Sequence, residues 1–157
     1  MGMRYRYLNH TADIEYIAYG NNLKTLFKNA LLGMFNTIAD IKKMHFNAIK
    51  SNKIKQDFKK LKAKKVIIRN NSDNKVELLW KILQDALSIS DAEQLFFYNI
   101  KNIKLGKRQN LFYFSAELLG LNKFEQVSKF DVKGVSMLDM KIKKIKNKFY
   151  VRVVLDV

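Results

Sequence analysis

Apolar and polar residues alternate along several short stretches of the chain, and a period of two residues is typical of β-strands. Near the beginning this pattern covers residues 4–8 and 13–19. In the second stretch one face carries the apolar side chains of Ile14, Tyr16 and Ala18. The sequence therefore predicts two short strands ahead of its first helix.

Two longer segments instead repeat apolar residues every three or four positions, which predicts amphipathic helices. The apolar positions of the first segment are Leu23, Leu26, Phe27, Ala30, Leu31, Met34, Phe35 and Ile38. Those of the second are Val76, Leu79, Trp80, Leu83 and Leu87, which makes Trp80 a packing residue. Turn-forming residues at 20–22 and 70–74 precede the two segments and predict helix caps. The solvent side of the first helix should carry Lys24, Lys28, Asn29 and Asn36.

The rest of the chain is rich in β-forming residues. Strands are predicted at residues 66–68, 95–98, 100–104 and 111–116, at 130–133 continuing toward 142, and at 149–155. Residues 106–110 and 144–148 predict hairpin turns. This order of elements predicts an α+β fold in which two main helices pack on an antiparallel or mixed β-sheet. A length of 157 residues predicts a single domain, residues 1–157.

The composition limits the chemistry that this chain can perform. With 48% hydrophobic residues it can build a core, yet it has no apolar run of the ~20 residues that a membrane span needs. Its first residues lack the apolar segment of a signal peptide, so we expect a cytoplasmic protein. The absence of cysteine excludes disulfides, thiolate nucleophiles and thiolate-bound zinc. A bound metal would be held by oxygen atoms, so calcium, magnesium or manganese fits better than zinc.

The charge is strongly positive, with 30 Lys and Arg against 14 Asp and Glu, or +16. Such an excess attracts polyanions, which makes RNA or an acidic protein surface a plausible neighbour. A general enrichment in lysine, without a function, is the alternative. The excess is greatest at residues 42–65, where ten lysines face one acid, Asp57. This basic segment is either a solvated peripheral segment or an arm that binds a polyanion.

No Walker loop, dinucleotide fingerprint or nucleophile elbow occurs in the sequence. The candidate chemistry lies near the two ends of the chain, at Asp13 beside His10 and at Asp156 beside Val157. His10 and Asp13 could form an acid–base pair, although a histidine near a strand end is more often held by local hydrogen bonds. Carboxylates from both ends would repel one another unless a cation lay among them, provided that the first and last strands are neighbours.

Several of these motifs resemble the archease family. His10-Thr11-Ala12-Asp13 resembles the opening of that family. A predicted strand, Gly20 and the Leu-x-x-Leu-Phe-x-x-Ala pattern of residues 23–30 follow it, as they do in the family. The resemblance continues through residues 78–83 and 132–136. It ends at Leu155-Asp156-Val157, which stands in the place of the family's terminal Leu-Asp-Ile. It covers essentially the whole chain in the same order.

The resemblance implies an archease-like α+β fold and a small accessory protein rather than an enzyme. Its partner would be an RtcB-type RNA ligase of tRNA splicing or RNA repair, whose guanylylation and multiple turnover it would promote. It implies a divalent cation, calcium above magnesium or manganese, bound by Asp13, Asp156 and Val157. Lys133 and His10 are candidate contacts to a partner or a phosphate, and RNA would be met through the ligase complex.

The chain departs from the family pattern at a few positions. Gly120-Leu121 replaces the usual Gly-Glu, no histidine precedes Val132-Lys133, and the segment after it differs. Two other functions also remain open. One is a nucleic-acid-binding module using residues 42–69, with Phe46 and Phe58 as stacking partners. The other is a chaperone-like interaction protein without metal chemistry, which needs an exposed apolar patch. Asp13 would then only cap a turn, and Asp156 would be a solvated chain end.

Overall fold

The computed structural model describes residues 3–8, 13–45 and 63–157. Within them, two long helices pack against two antiparallel sheets. Helix α1 spans Leu23–Ile38 and helix α2 spans Lys75–Glu93, and residues 41–45 are also helical. The predicted α+β class is confirmed. The strands, however, are divided between two sheets rather than joined in one.

The first sheet is built from both ends of the chain. Its strands are β1 (Tyr5–Leu8), β2 (Ile14–Gly20), β6 (Gly134–Ser136), β7 (Ile142–Ile145) and β8 (Lys148–Asp156). The order is β1-β2-β8-β6, and β7 also pairs with β8. Strand β8 is therefore central: one of its edges meets β2, and β6 and β7 pair with different parts of the strand.

The second sheet is formed by the middle of the chain. It contains β3 (Lys64–Ser72), β4 (Leu95–Arg108) and β5 (Leu111–Asn122), in the order β3-β5-β4. Strand β4 contains two register shifts, one between Phe97 and Asn99 and one between Lys101 and Lys104. Asn102, inside the second shift, has a φ of 53°. These bulges bend β4 and interrupt its pairing with β5.

Both helices contact strands of both sheets, so one hydrophobic core joins the two layers. Helix α1 begins after Asn22, whose side chain accepts a hydrogen bond from the Thr25 backbone N–H at 2.8 Å. Asn74 caps the beginning of α2 in the same way. Gln94 directly follows the helix and caps its end with a left-handed φ of 53°. The prediction that Asn29 faces solvent is wrong. Asn29 is buried, and its Nδ2 donates a hydrogen bond to the Tyr19 carbonyl oxygen at 2.7 Å.

A cluster of three tyrosines joins the first sheet to α1. The rings of Tyr5, Tyr7 and Tyr16 meet edge to face, with centroids 5.6–6.4 Å apart. The Tyr16 hydroxyl donates to the Ala30 carbonyl oxygen at 2.6 Å, and the Tyr7 hydroxyl donates to that of Gly33 at 2.9 Å. A Cβ at Gly33 would come within 2.4 Å of the Tyr16 ring. Burial, and then the neighbouring Tyr7, raises the pKa of Tyr16 well above its usual value.

Several strand boundaries differ from the predicted ones. Residues 130–133 are not a strand, because the Lys129 and Phe130 N–H groups donate to the Ile38 and Thr37 carbonyls at the end of α1. The predicted strands at 95–98 and 100–104 are parts of the single strand β4. The predicted turn at 70–74 is shorter, because Asn70, Asn71 and Ser72 still pair with β5. The hairpin after β4 turns at Gln109 and Asn110, which both have positive φ.

The predicted basic segment at 42–65 lies mostly outside the described residues. Lys42 and Lys43 are exposed and lie within the helical residues 41–45, and Lys64 and Lys65 begin β3. Residues 46–62, including Phe46 and Phe58, are not described. Among the helices of the described ranges, none is long and apolar enough to cross a membrane.

Candidate functional site

The candidate site lies where the first and last strands of the first sheet meet. In the β2–β8 ladder, Ile14 pairs with Leu155, and the register continues to Gly20 opposite Phe149. Asp13 directly precedes Ile14, and Asp156 directly follows Leu155. The antiparallel register therefore brings the two aspartates to the same end of the sheet, although they are distant in sequence.

Strand β6 supplies the other side of this site. Gly134 pairs with Asp156, and the Lys133 backbone N–H donates to the Asp156 carbonyl oxygen at 2.7 Å. A Cβ built on Gly134 would lie 3.5 Å from Asp156 Oδ2, so the Asp156 carboxylate extends along the face of Gly134. Lys133 is exposed and directly precedes the glycine. The structure thus places Asp13, Asp156 and Lys133 around one end of strand β8.

Helix α2 fixes β6 in this position. The Trp80 indole N–H donates to the Val135 carbonyl oxygen at 2.7 Å, and the Val135 N–H donates to Gln84 Oε1 at 3.2 Å. The N–H and the carbonyl of Val135 are therefore held by two residues of α2 that lie one helical turn apart, rather than by β8. The sequence assigned Trp80 to packing and did not single out Gln84. Their spacing of four residues was the available signal, but the partner strand was 51 residues away from Gln84.

A third carboxylate lies next to the site but has a different role. Glu15 is buried and receives two hydrogen bonds from Arg152, from Nε at 2.9 Å and from Nη2 at 2.6 Å. This bidentate pair raises the pKa of Arg152, through the hydrogen bond first and the charge of Glu15 second. Because its charge is compensated by Arg152, Glu15 is a structural acid of the β2–β8 pair.

The two aspartates differ from Glu15 in their surroundings. Asp156 is exposed and Asp13 is half-buried. Within residues 3–8, 13–45 and 63–157, neither carboxylate has a hydrogen bond or an ion pair. Hard oxygen donors of this kind suit calcium, magnesium or manganese. Over the same ranges, no three His, Asp or Glu side chains are grouped so that they alone could hold a metal ion.

Val157, Lys133 and His10 are the remaining predicted site residues. Val157 follows Asp156 and is 39% exposed. The Lys133 ammonium has no ion pair within the described part of the chain. His10 lies outside the described residues, as do the neighbouring residues 9, 11 and 12. The acid–base pair of His10 with Asp13 therefore stays a prediction.

The architecture of two helices on two antiparallel sheets is that of the archease-like α+β proteins. The solution structure of protein 1598 from Methanobacterium thermoautotrophicum shares the fold with a TM-score of 0.74 and 23% identity, covering 98% of this chain and 99% of that one. A crystal structure from Thermotoga maritima, described as an archease and possible chaperone, matches with a TM-score of 0.57 and 13% identity, covering 100% and 99%.

The chain belongs to the Archease protein family (MTH1598/TM1083), whose model matches residues 5–157. Its relatives named protein archease include that of Methanosarcina acetivorans, which is 27% identical over 99% of this chain and 97% of its own length. That of Thermococcus kodakarensis is 27% identical over 90% of this chain and 89% of its own length. The resemblance seen in the motifs is thereby confirmed at the level of the family.

Proposed function

We propose that the protein binds a divalent cation, with calcium as the expected ion, at the end of the first sheet. The observation that carries this proposal is the β2–β8 register, in which Asp13 and Asp156 flank the Ile14–Leu155 pair. Asp13 and Asp156 would contribute side-chain oxygens and Val157 a main-chain oxygen. Magnesium and manganese are the alternative ions, since they share the preference for oxygen ligands.

The donor set is too small to saturate a calcium ion. Calcium takes about six to eight oxygen ligands, whereas two aspartates and one main-chain oxygen supply at most about five, so some positions are left to water or to a partner. A bound cation of this kind supplies positive charge that neutralises and orients phosphate groups. Lys133, exposed beside Asp156, would add a second cationic contact for a phosphate or for an acidic partner, and His10 is a further candidate.

On this basis we propose that the protein is an accessory factor of an RtcB-type RNA ligase in tRNA splicing or RNA repair. It would promote guanylylation and multiple turnover of the ligase, which remains the catalyst. Membership in the archease family supports this assignment. So does the exposed position of Asp156 at one end of the first sheet, where a partner can reach it.

Exposed apolar residues beside the site support a role in binding a partner protein. Phe130, Met137 and Leu138 are 49%, 46% and 78% exposed, and they belong to the segment that carries Lys133 and Gly134. Contiguous exposed apolar patches mark protein interaction sites, and Met137 and Leu138 are neighbours in the chain. The same residues would serve a chaperone-like protein without metal chemistry, which is the second candidate function.

Calcium titration by calorimetry tests the metal site without the ligase. Asp13→Asn and Asp156→Asn each remove one anionic donor, and each should weaken calcium binding by at least about tenfold, or ~1.4 kcal/mol. Asp73→Asn is the matched control, because Asp73 is an exposed aspartate in the turn before α2. Calcium binding that is unchanged in both site variants would contradict the metal assignment.

A ligase assay tests the accessory function separately. The wild-type protein, at substoichiometric amounts, should increase both the guanylylated fraction of the ligase and its number of turnovers. The two site variants should lose most of this stimulation, and Asp73→Asn should retain it. Full stimulation by the site variants would favour the chaperone-like candidate, and no stimulation by the wild type would rule out the ligase as partner.

A further inference from the structure

A groove lined by basic residues lies at the other end of the first sheet. It has two adjacent parts. The larger, of about 1110 Å³, lies between the start of α1 and the bulge of β4. The smaller, of about 290 Å³, lies beside Gly20 at the end of β2. Thr25 and Lys28 line both parts, so the two parts are adjacent.

Six cationic residues line this basic groove: Arg4, Lys24, Lys28, Lys101, Lys104 and Lys148. They come from the segment before β1, from α1, from the bulge of β4 and from the start of β8. Glu117 is the one acid among the described lining residues; it accepts a hydrogen bond from Asn102 at 2.8 Å and pairs with Lys65 at 3.8 Å. Within the described ranges, none of the six cations forms an ion pair.

This arrangement does not stabilise the fold. Lys24 and Lys28 are four residues apart on α1, where like charges repel. They also lie in the first two turns of α1, near its partly positive N-terminus, and the first turn holds no acidic residue. The helix dipole therefore also repels these lysines. A bulge then brings Lys101 and Lys104 to the same groove. An anion bound in the groove would relieve this repulsion.

We propose that the basic groove binds the phosphodiester backbone of a nucleic acid duplex, independently of its sequence. Lysines are the usual phosphate contacts and carry no base specificity. The larger part of the groove has no aromatic lining residue among those described, so it offers no platform for stacking unpaired bases. An acidic protein is the weaker candidate, because protein interfaces are depleted in lysine and rely on aromatic residues and arginine.

The groove is distinct from the candidate metal site. Gly20, in its lining, and Asp13 lie at opposite ends of strand β2. Its described lining includes none of residues 42–65, which the sequence alone had suggested for a polyanion, although Lys65 pairs with Glu117 of the lining. The proposal therefore does not depend on the proposed function, and either can fail without the other.

Fluorescence anisotropy with a labelled RNA duplex of about 16 base pairs tests this groove. The groove variant changes Lys24, Lys28, Lys101 and Lys104 to Gln. The control variant changes to Gln four exposed lysines that lie outside both the groove lining and residues 42–65: Lys75, Lys107, Lys141 and Lys143. Both variants lose the same net charge, and a thermal melt by circular dichroism checks that each is folded.

The wild-type protein should bind the duplex with a steep dependence on salt between about 50 and 200 mM. The groove variant should lose at least about tenfold in affinity, and its log–log salt slope should fall by about three. The control variant should lose less than about threefold. A DNA duplex of the same length shows whether the site prefers RNA, and loss of binding to either duplex in the groove variant supports the proposal.

Three results would overturn the proposal. The first is an absence of duplex binding by the wild-type protein at low salt. The second is an equal loss in the groove and control variants, which would mean attraction by net charge alone. The third is groove-dependent binding of polyglutamate without binding of either duplex, which would assign the groove to an acidic protein.

Discussion

Tyr16 shows how one side chain ties the first sheet to α1 and makes stability depend on pH. It is fully buried, its ring lies against Gly33, and its hydroxyl donates to Ala30 at 2.6 Å. Burial first, and Tyr7 second, raises its pKa in the folded state. Below about pH 10 the Tyr16 hydroxyl is protonated in both the folded and the unfolded protein, so its contribution to the free energy of unfolding is complete there. Above about pH 10 only the unfolded state loses the proton, and stability therefore falls.

We predict that Tyr16→Phe flattens this alkaline loss of stability. Above about pH 10 the wild type should lose up to ~1.4 kcal/mol more per pH unit than the variant, which corresponds to one proton. At neutral pH the variant should be less stable by about 1 kcal/mol, because the hydrogen bond to Ala30 is absent. Urea unfolding between pH 8 and 11, a range on both sides of the ordinary tyrosine pKa of about 10, measures both effects. Parallel stability curves for the two proteins would show that Tyr16 does not titrate in this way.

At the scale of elements, strand β6 depends on α2 as much as on its own sheet. It has only three residues, and its ladder with β8 is correspondingly short. Gln84 and Trp80 hold the main chain of Val135 on α2. Since β6 carries Gly134 against Asp156, this contact positions one side of the candidate site.

We predict that Gln84→Ala releases the Val135 amide. Its hydrogen exchange should become faster by about tenfold, which corresponds to about 1.4 kcal/mol of local stability and lies within the usual range for one hydrogen bond. The amides of β5 should keep their exchange rates, because they belong to the other sheet. Hydrogen exchange followed by NMR gives both values. An unchanged rate at Val135 would mean that β8 alone holds the strand.

The same elements show what the sequence could predict. Helix α1 begins and ends at the predicted residues, because its apolar stripe and its Asn22 cap are local signals. Residues 130–133 were mistaken for a strand, since their alternation could not reveal that Lys129 and Phe130 bond to the end of α1, more than 90 residues earlier. The division into two sheets was equally hidden, because pairing partners such as Ile14 and Leu155 are set by tertiary contacts.

For the candidate site, the motifs led to Asp13 and Asp156, and the register brings both to one sheet end. The basic groove was missed. Its lysines are separated by more than 70 residues in the chain, between Lys28 and Lys101, and resemble ordinary solvated positions within each element. Only the packing of α1 beside the bulge of β4 makes them neighbours. Lysine-rich composition indicated a polyanion but could not indicate the surface.

At the scale of the whole molecule, the candidate metal site and the basic groove lie at opposite ends of strand β2. Asp13 precedes the first residue of β2, and Gly20 at the other end lines the basic groove. Seven strand residues separate these ends by about 20 Å, at roughly 3.3 Å per residue. The Debye length is about 8 Å at physiological ionic strength, so the two sites should act independently there. At about 10 mM salt it is near 30 Å, and the sites should interact.

We therefore predict a coupling that salt removes. At about 150 mM salt, replacing both Asp13 and Asp156 with Asn should change duplex affinity by less than about twofold, because the lost charges are screened from the groove. At about 10 mM salt the same variant should bind the duplex more tightly than the wild type, since two repelling charges are absent. Anisotropy titrations at both salt concentrations measure this, with Asp73→Asn as the control for a single lost acid. Equal coupling at both concentrations would instead require a conformational link through β2, because electrostatic coupling over this distance cannot survive physiological salt.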